Sequence, residues 1–119
     1  MRVFLFDWDR ETAARRAAAL EAAGIDVETE SAAGARGCKA VLDHSPEAVL
    51  FSLERRPSHS RETASGIRSC KAGRRIPVIL FGGKPEDVEK TRARVPGAVF
   101  TATDGLLEAL RTTVSQNEA

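Results

Sequence analysis

The segment Arg2-Val3-Phe4-Leu5-Phe6-Asp7 sets the plan of the fold. Four consecutive apolar residues that end at an acid are typical of a strand buried on both faces of a parallel sheet. Similar apolar runs return at 48–53 and 76–81, and helix-type patterns lie between them. Because strand and helix patterns alternate along the whole chain, the sequence predicts a parallel sheet with helices on both faces.

Five strands and five helices are predicted. The strands cover residues 3–6, 25–30, 48–53, 76–81 and 97–101, and the helices cover 10–23, 33–44, 57 to about 73, a short segment from Pro85, and a last segment from Asp104. This α/β pattern predicts a flavodoxin-like three-layer sandwich with a five-stranded parallel sheet of strand order 2-1-3-4-5.

Length and composition predict a single domain. The chain has 119 residues, of which 42% are hydrophobic and 29% are charged. That length leaves no room for a second core, and the composition is that of an ordinary globular protein. We expect the domain to span 1–114 and residues 115–119 to form a flexible C-terminal tail, because the tail offers no apolar anchor.

The N-terminal region and the cysteines favour a cytoplasmic location. The first apolar stretch is too short and wrongly flanked for a signal peptide, and no apolar run approaches the roughly 20 residues that cross a bilayer. Cys38 and Cys70 are the only cysteines, and without a C-x-x-C spacing we expect them to be buried apolar residues and not a disulfide.

Positive charge is concentrated in one segment of the chain. The formal net charge is only +1, which argues against nucleic acid as a general partner, but residues 54–75 hold seven Arg or Lys and two acids. We call residues 55–75 the basic segment. The stretch at its start, 54–62, is either a solvated loop running into the third helix or a contact for a phosphate or an acidic protein, since arginine binds phosphate and carboxylate bidentately. The candidate contact residues are Arg55, Arg56, His59, Arg61, Arg74 and Arg75.

In sheets of this order, ligands bind at the carboxyl ends of the central strands. The residues predicted there are Asp7, Trp8, Asp9, Ser52, Leu53, Gly82 and Gly83. A flavin-phosphate site needs backbone donors in the loop after the first strand, and the acids of this loop repel phosphate. A cobalamin site would present a histidine in the same loop, which contains none.

The chain resembles the CheY-like receiver domains of response regulators. The resemblance rests on residues 2–7, on 48–53 with Pro57 following, on 76–81, and on Gly97-Ala98 before the fifth strand, and it covers nearly the whole chain. It implies a role in signal transduction through two-component systems, in which an aspartate is phosphorylated beside a bound magnesium ion.

Most functional positions of that family differ in this sequence. The resemblance places the first magnesium-side acid at Asp7, which matches, and the second at Trp8, which does not. The phosphoacceptor aspartate falls at Ser52, the switch hydroxyl at Gly82 and the strand-five lysine near Ala102. One carboxylate makes a poor magnesium site, and serine is a weak nucleophile without an adjacent base. The degenerate receiver pocket is therefore predicted to comprise Asp7, Trp8, Asp9, Ser52, Gly82, Gly83 and Ala102.

Two roles are open for Trp8, and simpler roles exist for its neighbours. The indole either fills the empty pocket by packing over Leu53 or the glycines, or stands exposed as an anchor for a partner. Asp7 alone could be a hydrogen-bonded strand-end acid, and Ser52 a small residue bonded to nearby backbone.

We therefore expect an atypical receiver that acts as a phosphorylation-independent protein-interaction module, with no enzymatic activity, no cofactor and no metal. The alternative is an anion- or nucleic-acid-binding module that uses the basic segment. The protein partner is not identified by the sequence. The resemblance implies that a homodimer could form through helix 4, strand 5 and helix 5, where charges of both signs occur at Glu86, Asp87, Glu89, Lys90, Arg92 and Arg94.

Overall fold

A computed structural model describes residues 1–31 and 37–118, with the side chains of residues 37, 38, 40, 42 and 118 outside the description. Five parallel strands form one sheet of order β2-β1-β3-β4-β5, which confirms the predicted plan. The strands are β1 Arg2–Phe6, β2 Asp26–Glu30, β3 Ala48–Ser52, β4 Val78–Phe81 and β5 Val99–Thr101. The helices are α1 Arg10–Ala22, α2 Gly37–His44, α3 Pro57–Ser69, α4 Pro85–Arg94 and α5 Leu106–Glu118.

Each face of the sheet packs into its own hydrophobic cluster. Successive side chains of a strand point to opposite faces, so Val3 and Leu5 pack with apolar residues of α1 and α5. Phe4 and Phe6 pack on the opposite face with apolar residues of α2, α3 and α4. This alternation also decides on which side the residues after β1 lie.

The carboxyl ends of the central strands lie side by side. Phe6 pairs with Phe51, Ser52 pairs with Phe81, and Phe81 pairs with Thr101. The residues that follow β1, β3, β4 and β5 therefore meet at one edge of the sheet, as the sequence predicts. We call this the carboxyl edge and the opposite one the amino edge.

Several element ends differ from the predicted ones. The fourth strand begins at Val78 and not at residue 76, since Pro77 has no N–H to donate. Short 3-10 helices occupy Gly73–Arg75 and Thr103–Gly105. The first residues of the predicted second helix, 33–36, lie outside the described residues.

Residues 115–118 were expected to belong to a tail, but they continue α5 to Glu118. The stretch contains neither glycine nor proline, so nothing in it ends the helix. The last turns of the helix border a cleft at the amino edge.

The expectation for the cysteines is wrong at Cys70, which takes part in a disulfide. Its half-exposed position after α3 also places it outside both core clusters. Cys38 has a side chain outside the described part of the chain. The cysteines therefore give no support to a reducing compartment.

Within the described ranges, every helix is too short or too polar to cross a membrane.

Candidate functional site: a carboxyl edge closed by an arginine

Asp7 is a buried acid at the carboxyl edge. It directly follows β1, its side chain is only 1% exposed, and its backbone N–H donates to the carbonyl of Glu30 at 3.1 Å. By the alternation of β1, its carboxylate lies on the side that α1 covers, together with Val3 and Leu5. A carboxylate removed from water in this way needs a partner of opposite charge.

Arg16 of α1 is that partner. Its Nε donates to Asp7 Oδ2 at 2.8 Å, and its terminal nitrogen pairs with Glu54, the second residue after β3. The guanidinium carbon also lies 4.8 Å from the centre of the Phe81 ring at the end of β4. One cation therefore joins groups that follow or end three adjacent strands, at the point where a receiver would need acids and a metal.

Glu54 takes the space beside the predicted switch position. A Cβ added at Gly82 would lie 2.6 Å from Glu54 Cγ and 2.9 Å from Thr103 Oγ1, so residue 82 has no room for a side chain. Gly82 also has φ of +73°, which disfavours other residue types. The backbone N–H of Glu54 donates to Ser52 Oγ at 3.2 Å, which supplies the hydrogen bond expected for a small buried serine.

Trp8 packs toward α3. Its Nε1 donates to Ser60 Oγ at 2.7 Å, and Ser60 Oγ in turn donates to the carbonyl of Ser52 at 2.5 Å. The indole centre lies 4.3 Å from the His59 ring and 5.8 Å from the Phe6 ring. The half-buried tryptophan therefore fixes the β1–α1 loop to the start of α3, and it packs against the hydrophobic cluster that contains Leu53.

Asp9 serves helix α1. Its Oδ2 accepts from the hydroxyl of Thr12 at 2.5 Å and from the backbone N–H of Thr12 at 3.0 Å, as in an N-cap. The hydroxyl and then the N–H of Thr12 hold the pKa of Asp9 below its ordinary value. Its other oxygen lies 3.9 Å from Arg55. Both oxygens thus have partners within the chain.

The remaining residues of the predicted pocket, Gly83 and Ala102, lie away from Arg16. A Cβ at Gly83 would lie 2.7 Å from Leu53 Cβ, so the backbone passes close to the end of β3. Ala102 is exposed after β5, and its carbonyl accepts from the N–H of Gly105 at 3.0 Å. No lysine occurs after Lys90, so no lysine follows β5. The predicted residues thus share one edge, but only Asp7, Ser52 and Gly82 border the charged centre formed by Arg16 and Glu54.

The basic segment does not form one surface. Arg61 lies 3.8 Å from Asp87 and donates to Thr91 Oγ1 at 3.3 Å, so it joins α3 to α4. Arg55, Arg56 and His59 lie near the carboxyl edge, whereas the pair Arg74 and Arg75 lies in the 3-10 helix before β4, at the amino edge. The candidate contact residues therefore belong to two separate sites.

The face proposed for self-association is partly occupied by contacts within the chain. Asp87 faces Arg61 of α3, and Arg94 pairs with Glu62 of α3 at 3.0 Å. Arg92 lies over the Phe100 ring at 4.5 Å. Self-association through this face stays a prediction, with fewer available charges than the sequence suggested.

The described donor set does not fit a magnesium site. Within residues 1–31 and 37–118, no three His, Cys, Asp or Glu side chains come together as metal ligands would. Of the acids at the carboxyl edge, Asp7 and Glu54 share the Arg16 guanidinium and Asp9 caps α1. A hard cation would have to displace an arginine from these carboxylates.

Sequence reasoning missed Arg16, Glu54 and Ser60. The sequence contained a signal for Arg16. An acid directly after a fully apolar strand is expected to be buried, and the next residue, Trp8, carries no charge. Such an acid needs a cation from a neighbouring element, and α1 is the element that follows it. The choice between Arg15 and Arg16 depends on which face of the helix is turned to the sheet.

No protein-family model matches this sequence, and no curated protein is recognisably similar to it. Solved structures match nearly the whole chain. A CheY-like response-regulator receiver domain protein from Methanospirillum hungatei has a TM-score of 0.78 at 16% identity and covers 98% of this chain and 95% of its own. The chemotaxis protein CheY4 of Vibrio cholerae has a TM-score of 0.75 at 17% identity, over 93% and 96% of the two chains.

A third match is the receiver domain of the sensor histidine kinase PA1611 from Pseudomonas aeruginosa, a structure with a magnesium ion coordinated in its active-site cleft. It has a TM-score of 0.74 at 17% identity, over 97% of this chain and 94% of that one. The chain therefore has the fold of response-regulator receiver domains, while its carboxyl edge holds an arginine between two acids.

Proposed function

We propose that this protein is an atypical receiver module of signal transduction that binds a protein partner without being phosphorylated. The observation that carries the proposal is the Arg16 guanidinium, which pairs with buried Asp7 and with Glu54 at the carboxyl edge. An internal cation there supplies the neutralising charge that a metal ion supplies in a magnesium site. The edge is then held in one arrangement by the chain itself.

The groups at the acceptor and switch positions support the same proposal. Ser52 is buried, and within the described residues its hydroxyl has the backbone N–H of Glu54 as partner and no histidine or carboxylate that could act as a base. Gly82 has no hydroxyl that could hydrogen-bond to a phosphoryl group. The Cγ of Glu54 occupies the space that a side chain at position 82 would need. Phosphotransfer thus lacks an acceptor, a base and a responding group.

Acetyl phosphate with magnesium chloride tests the proposal. Because the acceptor position is a serine without a base, we expect the mass of the intact chain to stay unchanged after incubation. A receiver that keeps its acceptor aspartate, treated in parallel, provides the positive control. A phosphoryl adduct on this chain that hydroxylamine removes would refute phosphorylation independence.

A further inference from the structure

The amino edge of the sheet carries a cleft of about 340 Å³. Its walls come from the end of α3, the 3-10 helix before β4, and the last turns of α5. Three of its lining residues are arginines, Arg68, Arg74 and Arg75, and among the described residues no acid lines it. A concave surface of this volume lies within the range of small-molecule sites.

Within the part of the chain that the structure describes, no carboxylate neutralises the arginines of this cleft. Among the described residues, no acid lies within ion-pair distance of Arg74 or Arg75, whose side chains are exposed. Arg68 donates from one terminal nitrogen to the carbonyl of Pro96 at 2.7 Å, and its Nε is buried without a hydrogen-bond partner. Guanidinium groups that lie close together without carboxylates favour the binding of an anion, which neutralises their charge.

The other lining groups suit an organic phosphate. Thr113, Gln116 and Asn117 of α5 offer a hydroxyl and two amides, and Ile76, Pro77 and Val99 offer apolar surface. Guanidinium groups bind phosphate oxygens bidentately and stack on flat rings. Gly97 has φ of +82°, and a Cβ added there would lie 3.6 Å from a terminal nitrogen of Arg68. The backbone before β5 therefore passes close to the Arg68 guanidinium.

We propose that this amino-edge cleft binds a small phosphate ester, with its phosphate groups on Arg68, Arg74 and Arg75 and its organic part on Ile76, Pro77 and Val99. The site lies at the opposite end of the sheet from Arg16, so it does not depend on the proposed function. It also assigns a role to Arg74 and Arg75, the two candidate contact residues that lie away from the carboxyl edge.

Calorimetric titration of the full chain with ADP, and with pyrophosphate as the inorganic probe, tests this proposal. We expect ADP to bind, and to bind more tightly than pyrophosphate because of the apolar surface. The double variant Arg74→Gln with Arg75→Gln should weaken ADP binding at least about tenfold, since hydrogen bonds to charged groups contribute strongly. Circular dichroism would verify that this variant is folded.

The matched control removes the same charge elsewhere. Arg55→Gln with Arg56→Gln changes two exposed arginines of the carboxyl edge and should leave ADP affinity within about twofold. Absence of ADP binding at millimolar concentration would overturn the proposal, and so would equal weakening by both double variants. Equal affinity for pyrophosphate and ADP would overturn the contact with the apolar surface.

Discussion

Arg16 at the carboxyl edge and the pair Arg74 and Arg75 at the amino edge lie in opposite electrostatic environments. At the carboxyl edge, Arg16 lies between Asp7 and Glu54 and is only 18% exposed. At the amino edge, Arg74 and Arg75 are exposed and have no carboxylate partner among the described residues. An arginine that is neutralised within the chain stabilises the fold, whereas one left without an acid is available to a ligand.

The fold determines where a site lies, whereas the side chains at that place determine its chemistry. Parallel sheets of this order place their sites at the carboxyl edge, and the solved receiver structures share that architecture with this chain. Here the edge is filled by contacts between the chain's own residues. A fold match alone therefore does not assign a chemistry to this chain.

The largest effect is expected from removing the cation of the carboxyl edge. Arg16→Met leaves the buried Asp7 carboxylate without its partner, and we expect a loss of about 2 to 3 kcal/mol in the free energy of unfolding. This loss is smaller than the roughly 3 to 5 kcal/mol typical of fully buried pairs, because Arg16 is partly exposed. Urea denaturation followed by circular dichroism measures it.

The matched variant at the amino edge is Arg75→Met. Because Arg75 is exposed and forms no described ion pair, its removal should change the free energy of unfolding by no more than about 0.5 kcal/mol. Similar losses for the two variants would remove the contrast between the edges.

Trp8 is expected to give an effect of similar size to that of Arg16. Trp8→Ala removes the packing on Phe6 and His59 and the hydrogen bond to Ser60, which together should cost about 2 to 3 kcal/mol for a half-buried ring. Trp8→Phe keeps most of the packing and should cost about 1 kcal/mol.

Native fluorescence provides an independent check on Trp8. The emission of this single tryptophan should be blue-shifted relative to the unfolded chain. Solvent-like emission combined with a neutral Trp8→Ala variant would instead favour an exposed anchor for a partner.

A smaller effect should separate two glycines with similar backbone conformation. Gly82 and Gly24 have φ of +73° and +88°, so replacement by alanine costs about 1 to 2 kcal/mol of backbone strain at either position. A Cβ at Gly82 also meets Glu54, while nothing lies within 4 Å of one at Gly24. Gly82→Ala should therefore lose about 1 kcal/mol more than Gly24→Ala in the same denaturation assay.

Equal losses for the two glycine variants would show that Glu54 does not hold its position beside residue 82. The carboxyl edge would then be less constrained than the contacts of Arg16 imply.

The fold could be predicted because its determinants are local in the sequence. The apolar runs at 3–6 and 76–81 are typical of buried strands, and their alternation with helices predicts a parallel sheet. The ends of elements were less predictable, since α5 continues through polar residues to Glu118 that carry no signal for stopping. The disulfide of Cys70 depends on a spatial approach that cysteine spacing does not reveal.

The site could be predicted only in part. Alternation along β1 places Phe4, Phe6 and Trp8 on one face and Asp7 on the other, so the direction of the indole toward α3 was present in the pattern. The ion pair between Arg16 and Glu54 was not, because it joins long side chains 38 residues apart in sequence. Such contacts depend on how a helix is rotated on the sheet.

Magnesium titration most directly tests the claim that Arg16 replaces a metal ion at the carboxyl edge. A ligand present at ten times its dissociation constant stabilises a protein by roughly 1.4 kcal/mol, enough to raise the melting temperature by several degrees. We predict no change for the native chain up to about 10 mM magnesium chloride, relative to sodium chloride of equal ionic strength. Arg16→Met, which leaves Asp7 and Glu54 without their shared cation, should show an upward shift. A clear rise in the native chain that Asp7→Asn abolishes would contradict the account.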